Sequence, residues 1–200
     1  MPENGSAPPS IPHLLQQAFG PIYEAPVSVW ETFAEYCELT SFKKNQVIKK
    51  AGAIENNGFF ILEGAATNLV WKGPQMLCLD FFFEGDFFGD SLSLYTREPS
   101  PVECMAIENC TAMRISRESQ DELRQTEIGK LLFHMAAEND FVVKQRQQID
   151  LLLMTPEERY LKMERETPEI ILRLPQKFIA SYLGITTQSL SRLRRRQGAT

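Results

Sequence analysis

Gln176-Lys177-Phe178-Ile179-Ala180-Ser181-Tyr182-Leu183-Gly184-Ile185-Thr186-Thr187-Gln188-Ser189-Leu190-Ser191-Arg192-Leu193 is the stretch on which the architecture turns. Ala180 is small where two helices would cross closely, and Gly184 permits the positive φ that turns the chain between them. Ile179, Leu183, Ile185, Leu190 and Leu193 supply a shared apolar seam, and Thr186 stands where it can cap the second helix. The spacing predicts a helix-turn-helix, whose second helix enters the DNA major groove by its N-terminal half. An isolated helical hairpin would show the same glycine and leucines, so the charge that follows decides between them. Arg192, Arg194, Arg195 and Arg196 come at once, and residues 171–200 carry six cationic side chains and no acidic one. The whole chain has a formal net charge of −5, so the remainder carries −11. Such a split places attraction for a polyanion at the C-terminal end and lets the acidic body limit non-specific adhesion.

Working back from this segment, Thr155-Pro156-Glu157-Glu158 starts a helix with an oxygen-bearing cap, Pro at the first position and carboxylates on the positive end of the dipole. Thr155 is therefore expected to mark a hinge and a domain boundary. Before it, Ile128, Leu132, Met135, Asn139, Val142, Arg146, Ile149 and Leu153 occupy the a and d positions of successive heptads. Asn139 and Arg146 interrupt the stripe, and one polar seam residue fixes register in a parallel pair. A helix over 128–153 is about 39 Å long, more than a small barrel needs as cover. A homodimer seam of Ile128, Leu132, Met135, Asn139, Val142, Ile149 and Leu153 is thus preferred to packing on the chain's own barrel alone.

Between Ser41 and Ile115, glycine and asparagine turns separate short β-rich strings, from Gln46-Val47-Ile48 and Gly58–Leu62 through Ala65–Trp71 and Met76–Phe83 to Cys110–Ile115. This is the rhythm of a compact antiparallel roll. Two amphipathic runs, Leu14–Phe19 and Val29–Tyr36, predict helices that lead into it. Residues 1–10 read as a loose arm. The expected division is an arm and short helix over 1–20, a roll over 21–125, a dimerisation helix over 126–154 and a helix-turn-helix domain over 155–200. The fold class is α+β.

The 200 residues are long enough for one large domain or two modest ones, with ordinary globular composition. No segment is apolar enough to span a bilayer and no secretory signal stands at the start, so no membrane partner is expected and the cytoplasm is the expected compartment. Cys37, Cys78, Cys104 and Cys110 are too scattered for a disulfide framework and read as free thiols. His13 and His134 lie far apart, which leaves little material for a metal site. No nucleophile with a base and no phosphate-cradling glycine loop is evident, so an enzyme is not expected.

The β-roll turns, then Glu84-Gly85-Asp86-Phe87-Phe88-Gly89-Asp90, the long helix and the segment Ile179–Arg192 together resemble the Crp/Fnr transcription regulators over roughly Val27 to Arg196. The resemblance implies a cyclic-nucleotide-binding-like roll, a dimer helix and a DNA-binding helix-turn-helix that takes a two-fold symmetric operator. It implies double-stranded DNA and a second copy of the chain as partners, with RNA polymerase a further candidate. The base-reading positions then correspond to Thr187, Gln188, Ser191 and Arg192, with Thr186, Arg194 and Arg195 completing the DNA-binding set. Two departures modify the expectation. Where cyclic-nucleotide binders carry an Arg-Ser or Arg-Ala pair on the phosphate, this chain has Ser100-Pro101, and Asp90 stands for the ribose-holding Glu. Arg97 is the candidate substitute cation, with a mere surface charge beside Glu98 as the alternative. An effector pocket would comprise Phe88, Gly89, Asp90, Arg97 and Ser100, with cyclic AMP disfavoured and the effector otherwise unidentified. Phe81, Phe82, Phe83, Phe87 and Phe88 are large enough to fill it. The chain also stops a few residues past the recognition helix, so a β wing is expected to be truncated. The competing class is a ligand-binding or protein-interaction module whose C-terminal helices dock on a protein.

Overall fold

The computed structural model describes residues 10–20 and 23–197. The expected arm therefore lies almost wholly outside the described residues, as do residues 198–200. Two helices, α1 (Ile11–Phe19) and α2 (Val27–Glu35), precede the strands β1 (Cys37–Phe42), β2 (Val47–Lys49), β3 (Asn57–Glu63), β4 (Ala66–Lys72), β5 (Gln75–Phe82) and β6 (Phe87–Phe88). A short helix α3 (Ser91–Thr96) is followed by β7 (Glu103–Ala106) and β8 (Cys110–Ser116). The chain then continues through α4 (Arg117–Leu123), α5 (Glu127–Leu153), α6 (Pro156–Glu166), α7 (Pro168–Arg173), α8 (Gln176–Leu183) and α9 (Thr187–Gln197). The β region begins at Cys37 rather than Ser41, and β1, β6 and β7 are additions to the predicted set. Two-residue β6 and polar-led β1 lack the run of apolar side chains that a strand needs to be read from sequence.

Two four-stranded sheets face each other, ordered β1-β8-β3-β6 and β2-β7-β4-β5, with every pairing antiparallel. Strand alternation distributes the apolar side chains among three cores. In β3, Phe59 and Ile61 point between the sheets, where they meet Ala66, Phe88, Cys104 and Ala112. Phe60 points the other way and packs with Leu15, Trp30, Phe33 and Leu132, so α1, α2 and the start of α5 cover the first sheet. On the outside of the second sheet, Leu69, Cys78, Phe83 and Ile107 join Tyr160, Leu174, Phe178, Leu183 and Leu190. The C-terminal helices therefore share a core with the roll. The chain does break at Thr155, where its hydroxyl accepts from the Glu158 N–H and the Glu158 carboxylate accepts from the Thr155 N–H. That capping box separates two helices without separating two cores.

Of the five phenylalanines expected to fill the roll, Phe82 and Phe88 do so. Phe81 and Phe83 pack toward the C-terminal helices, and Phe87 lies against Phe19 and Phe60 on the outer face. All four cysteines are free, and burial pushes the Cys37 and Cys78 thiols up to about 12.

Candidate nucleic-acid interface and roll interior

The C-terminal helix pair forms as the glycine requires. Gly184 has φ 72° and closes α8 with its N–H on the carbonyls of Ala180 and Ser181. Ile185 then returns an N–H to the Ala180 carbonyl at 2.9 Å. Thr186 Oγ1 accepts from the Ser189 N–H at 3.1 Å, so its hydroxyl caps α9 as expected. Ala180, Leu183, Leu190 and Leu193 are buried, which fixes the opposite face of α9. On that face Thr187, Gln188, Arg192, Arg195 and Arg196 are exposed and Ser191 is half-buried. Arg194 is a correction. Its Nε donates to the Tyr160 hydroxyl at 3.1 Å and its guanidinium lies 5.7 Å from that ring, so it is turned into the body. One residue beyond Leu193 on the helix, its side chain is carried toward α6 and away from the open face.

α8 is held on β5, an edge strand whose outer backbone groups lack a strand partner. Ser181 Oγ donates to the Met76 carbonyl at 2.8 Å and accepts from the Cys78 N–H at 2.9 Å. Arg173 forms a two-point bond to Glu84 at 2.7 and 2.8 Å and reaches Glu108 at 2.6 Å. Partial burial alone would raise the Glu84 carboxyl, but the Arg173 guanidinium and the Gly64 N–H hold it below the usual carboxylate range. Sequence reading missed this docking, since a lone Arg and a lone Ser carry no motif.

The long helix divides into two parts. Ile128 and Leu132 pack on the chain's own first sheet and its covering helices, so they leave the predicted seam. Met135 is half-buried, and Asn139, Val142, Arg146, Ile149 and Leu153 are exposed. Lys144 and Gln147 bind Asp80 of β5 at 2.6 and 2.9 Å, which fixes the face turned to the body. The 3.6-residue period then places Val142, Ile149 and Leu153 on the far side. Leu152 and Leu153 are 77% and 79% exposed.

At the expected effector pocket, Asp90 and Ser100 are bonded to the chain's own Lys49. Lys49, only 6% exposed, places Nζ 2.6 Å from Asp90, 3.1 Å from Ser100 Oγ and 2.8 Å from the Val102 carbonyl. Asp90 also accepts from Ser100 Oγ and from the Ser93 N–H that starts α3. Beside it, buried Glu55 accepts from the N–H groups of Asn56 and Asn57, and burial raises its carboxyl despite those bonds and the nearby Lys49 charge. Phe88 stacks on Phe59, and Gly89, with φ 145°, passes so close to the Asn57 carbonyl that a Cβ would lie 3.3 Å from it. Arg97 is the second correction. It sits outside, bound to Asp121 at 2.9 Å with 62% of its side chain exposed, and it does not reach the roll interior. The missed residues are Lys49 and Glu55. A lysine at the end of Val47-Ile48-Lys49 reads as a solvated strand charge, but a register shift between Val47 and Lys49 turns it inward.

Residues 39–127 match the family model of the cyclic nucleotide-binding domain. No curated protein matches the chain in sequence. Among solved structures, the c-di-GMP responsive global regulator CLP of Xanthomonas campestris superposes with TM-score 0.68 at 16% identity, covering 87% of this chain and 92% of that one. FixK2 of Bradyrhizobium japonicum gives 0.65 at 17% identity, over 82% and 85% of the two chains. The catabolite activator protein of Thermus thermophilus gives 0.56 at 17% identity, over 91% and 86%. At these identities the likeness is one of fold. It extends beyond the roll through the long helix and the C-terminal helices. No helix among the described residues is long and apolar enough to cross a membrane.

Proposed function

We propose that this protein is a dimeric, sequence-specific DNA-binding transcription regulator of the Crp/Fnr type whose roll works without a cyclic nucleotide. The observation that carries the DNA-binding part is the α8–Gly184–α9 unit, which has the build of a helix-turn-helix. Its apolar side is spent on the body and its open side is polar. Arg192 can present its fork to guanine O6 and N7, and Gln188 can pair with adenine. Thr187 and Ser191 suit phosphate or a thymine methyl, and Arg195 and Arg196 suit the flanking phosphates. The far face of α5, with Val142, Ile149 and Leu153, would join a second copy. Two recognition helices related by that two-fold axis call for an inverted repeat.

Cyclic AMP does not suit the roll. The position where a phosphate-neutralising arginine would stand is Ser100, and the nearby cation, Lys49, is committed to Asp90. A phosphate would have to break a buried ion pair before finding a partner, at a cost of several kcal/mol. Asn68 Oδ1, buried without a partner among the described residues, repels an anion rather than binding one.

Binding of purified protein to duplexes carrying and lacking an inverted repeat, across a range of salt, tests the proposal. Preference for the repeat with log K falling steeply against log salt is expected. Equal, weak binding to all duplexes would contradict it. Arg192→Ala is expected to cost about 1–3 kcal/mol and to relax specificity at one base pair in each half-site. A uniform loss on all sequences would assign Arg192 to phosphate instead.

A further inference from the structure

A cleft lies on the outer side of α3. Bordered by α3 and α4, it has a volume of about 170 Å³ and is lined by Tyr95, Arg97, Arg117, Gln120, Asp121 and Arg124. Three guanidiniums meet one carboxylate there, in a body that is otherwise strongly acidic. Asp121 neutralises Arg97. Arg117 donates to the backbone carbonyl of Glu55, and its Nε is buried without a partner. The Arg124 guanidinium lies 3.8 Å from the Phe133 ring centroid and 5.4 Å from that of Tyr95, which holds its plane without neutralising its charge. Arg97 is one of two non-glycine residues with positive φ among the described residues, at 63°, and ends α3 where Gly or Asn is usual.

We propose that this cleft binds a nucleotide with a terminal phosphate, the phosphate on Arg97, Arg117 and Arg124 and the base on Tyr95. Guanidinium forks match phosphate oxygens in pairs, and a dianion balances the two charges that Asp121 leaves over. Tyr95, 55% exposed, offers the planar ring against which a base stacks. The site is distinct from the roll interior, since Asp90 and Lys49 lie on the inner side of the same helix. An occupant would tie α3 to α4, and α4 runs directly into α5. Ligand binding here is thus placed to alter the dimer helix, a consequence that rests on the regulator reading although the binding itself does not.

Calorimetric titration of the full chain with ADP and, separately, with pyrophosphate tests the site. Saturable ADP binding below about 1 mM is expected, with Arg97→Gln and Arg124→Gln each weakening it about tenfold, the loss of one charge-assisted contact. Asp121→Asn is expected to tighten binding severalfold, a gain that a misfolded variant cannot produce. Tyr95→Ala should weaken ADP by a larger factor than pyrophosphate, which loses only the support that the ring gives Arg124. No saturable binding of either ligand, or binding indifferent to the arginine variants, would overturn the site. Equal affinity for ADP and pyrophosphate would overturn the assignment of a nucleotide. Inverted-repeat binding measured without ADP scores the regulator reading separately.

Discussion

Lys49 and Asp90 form the buried ion pair on which the proposed nucleotide-independence of the roll rests. Both are buried, each has further hydrogen-bond partners, and removal of either leaves the other charge stranded in the roll. Lys49→Met is therefore expected to destabilise the protein by about 3–5 kcal/mol, measured by urea unfolding. A second change, Asp90→Asn, should recover much of that loss because the stranded charge is gone while an α3 cap remains. A Lys49→Met loss below about 1 kcal/mol would show that the pair is not desolvated as described. Ser100-Pro101, a local feature of one stretch, was visible in the sequence. Its counterpart at Lys49 was not. Fifty residues separate the two positions in the chain, and only a bulge in β2 brings the ammonium inside.

Among the elements, α5 and the C-terminal pair were the easiest to read and the most informative. Long amphipathic periodicity and a capped start survive translation into structure because they depend on neighbours within a turn or two. The seam was read too long at its N-terminal end. Periodicity identifies an apolar stripe but not what covers it, and Ile128 and Leu132 are covered by the chain's own helices. The two halves should respond differently to substitution. Leu132→Ala, in the chain's own core, is expected to cost about 2–5 kcal/mol of folding stability. Ile149→Asp should leave the fold intact and convert the proposed dimer to monomer, read by sedimentation velocity. An Ile149→Asp protein that sediments as the wild-type dimer would remove the second half of α5 from the interface.

For the whole molecule, the docking of α7 and α8 on the roll sets where α9 points. Arg173, Glu84 and Glu108 hold one end of that contact, and Ser181 holds the free edge of β5. Glu84 has a carboxyl held below its usual range, so the folded state favours the charged form. Its contribution is complete above the ordinary carboxylate pKa of 4.5 and is lost as the pH falls through the lowered value. The Cys78 amide, which donates to Ser181, reports on this directly by hydrogen exchange. Its protection should fall in acid, and Arg173→Gln should lower it at neutral pH while the amides of β3 and β8 stay protected. Unchanged Cys78 protection in that variant would mean that the shared apolar core alone fixes the C-terminal helices. Contacts of this kind join residues about 65 to 105 positions apart, which is why no pattern in the chain announced them.

The proposed regulator joins an α9 that reads DNA to a roll that needs no nucleotide. The most direct test is selection from a random duplex library with purified protein, first without ligand and then with cyclic AMP. Enrichment of one inverted repeat in both selections, with the same affinity, is expected. Enrichment only with cyclic AMP would contradict the closed roll, and enrichment of no sequence in either would contradict the assignment of α9 as a reader of DNA.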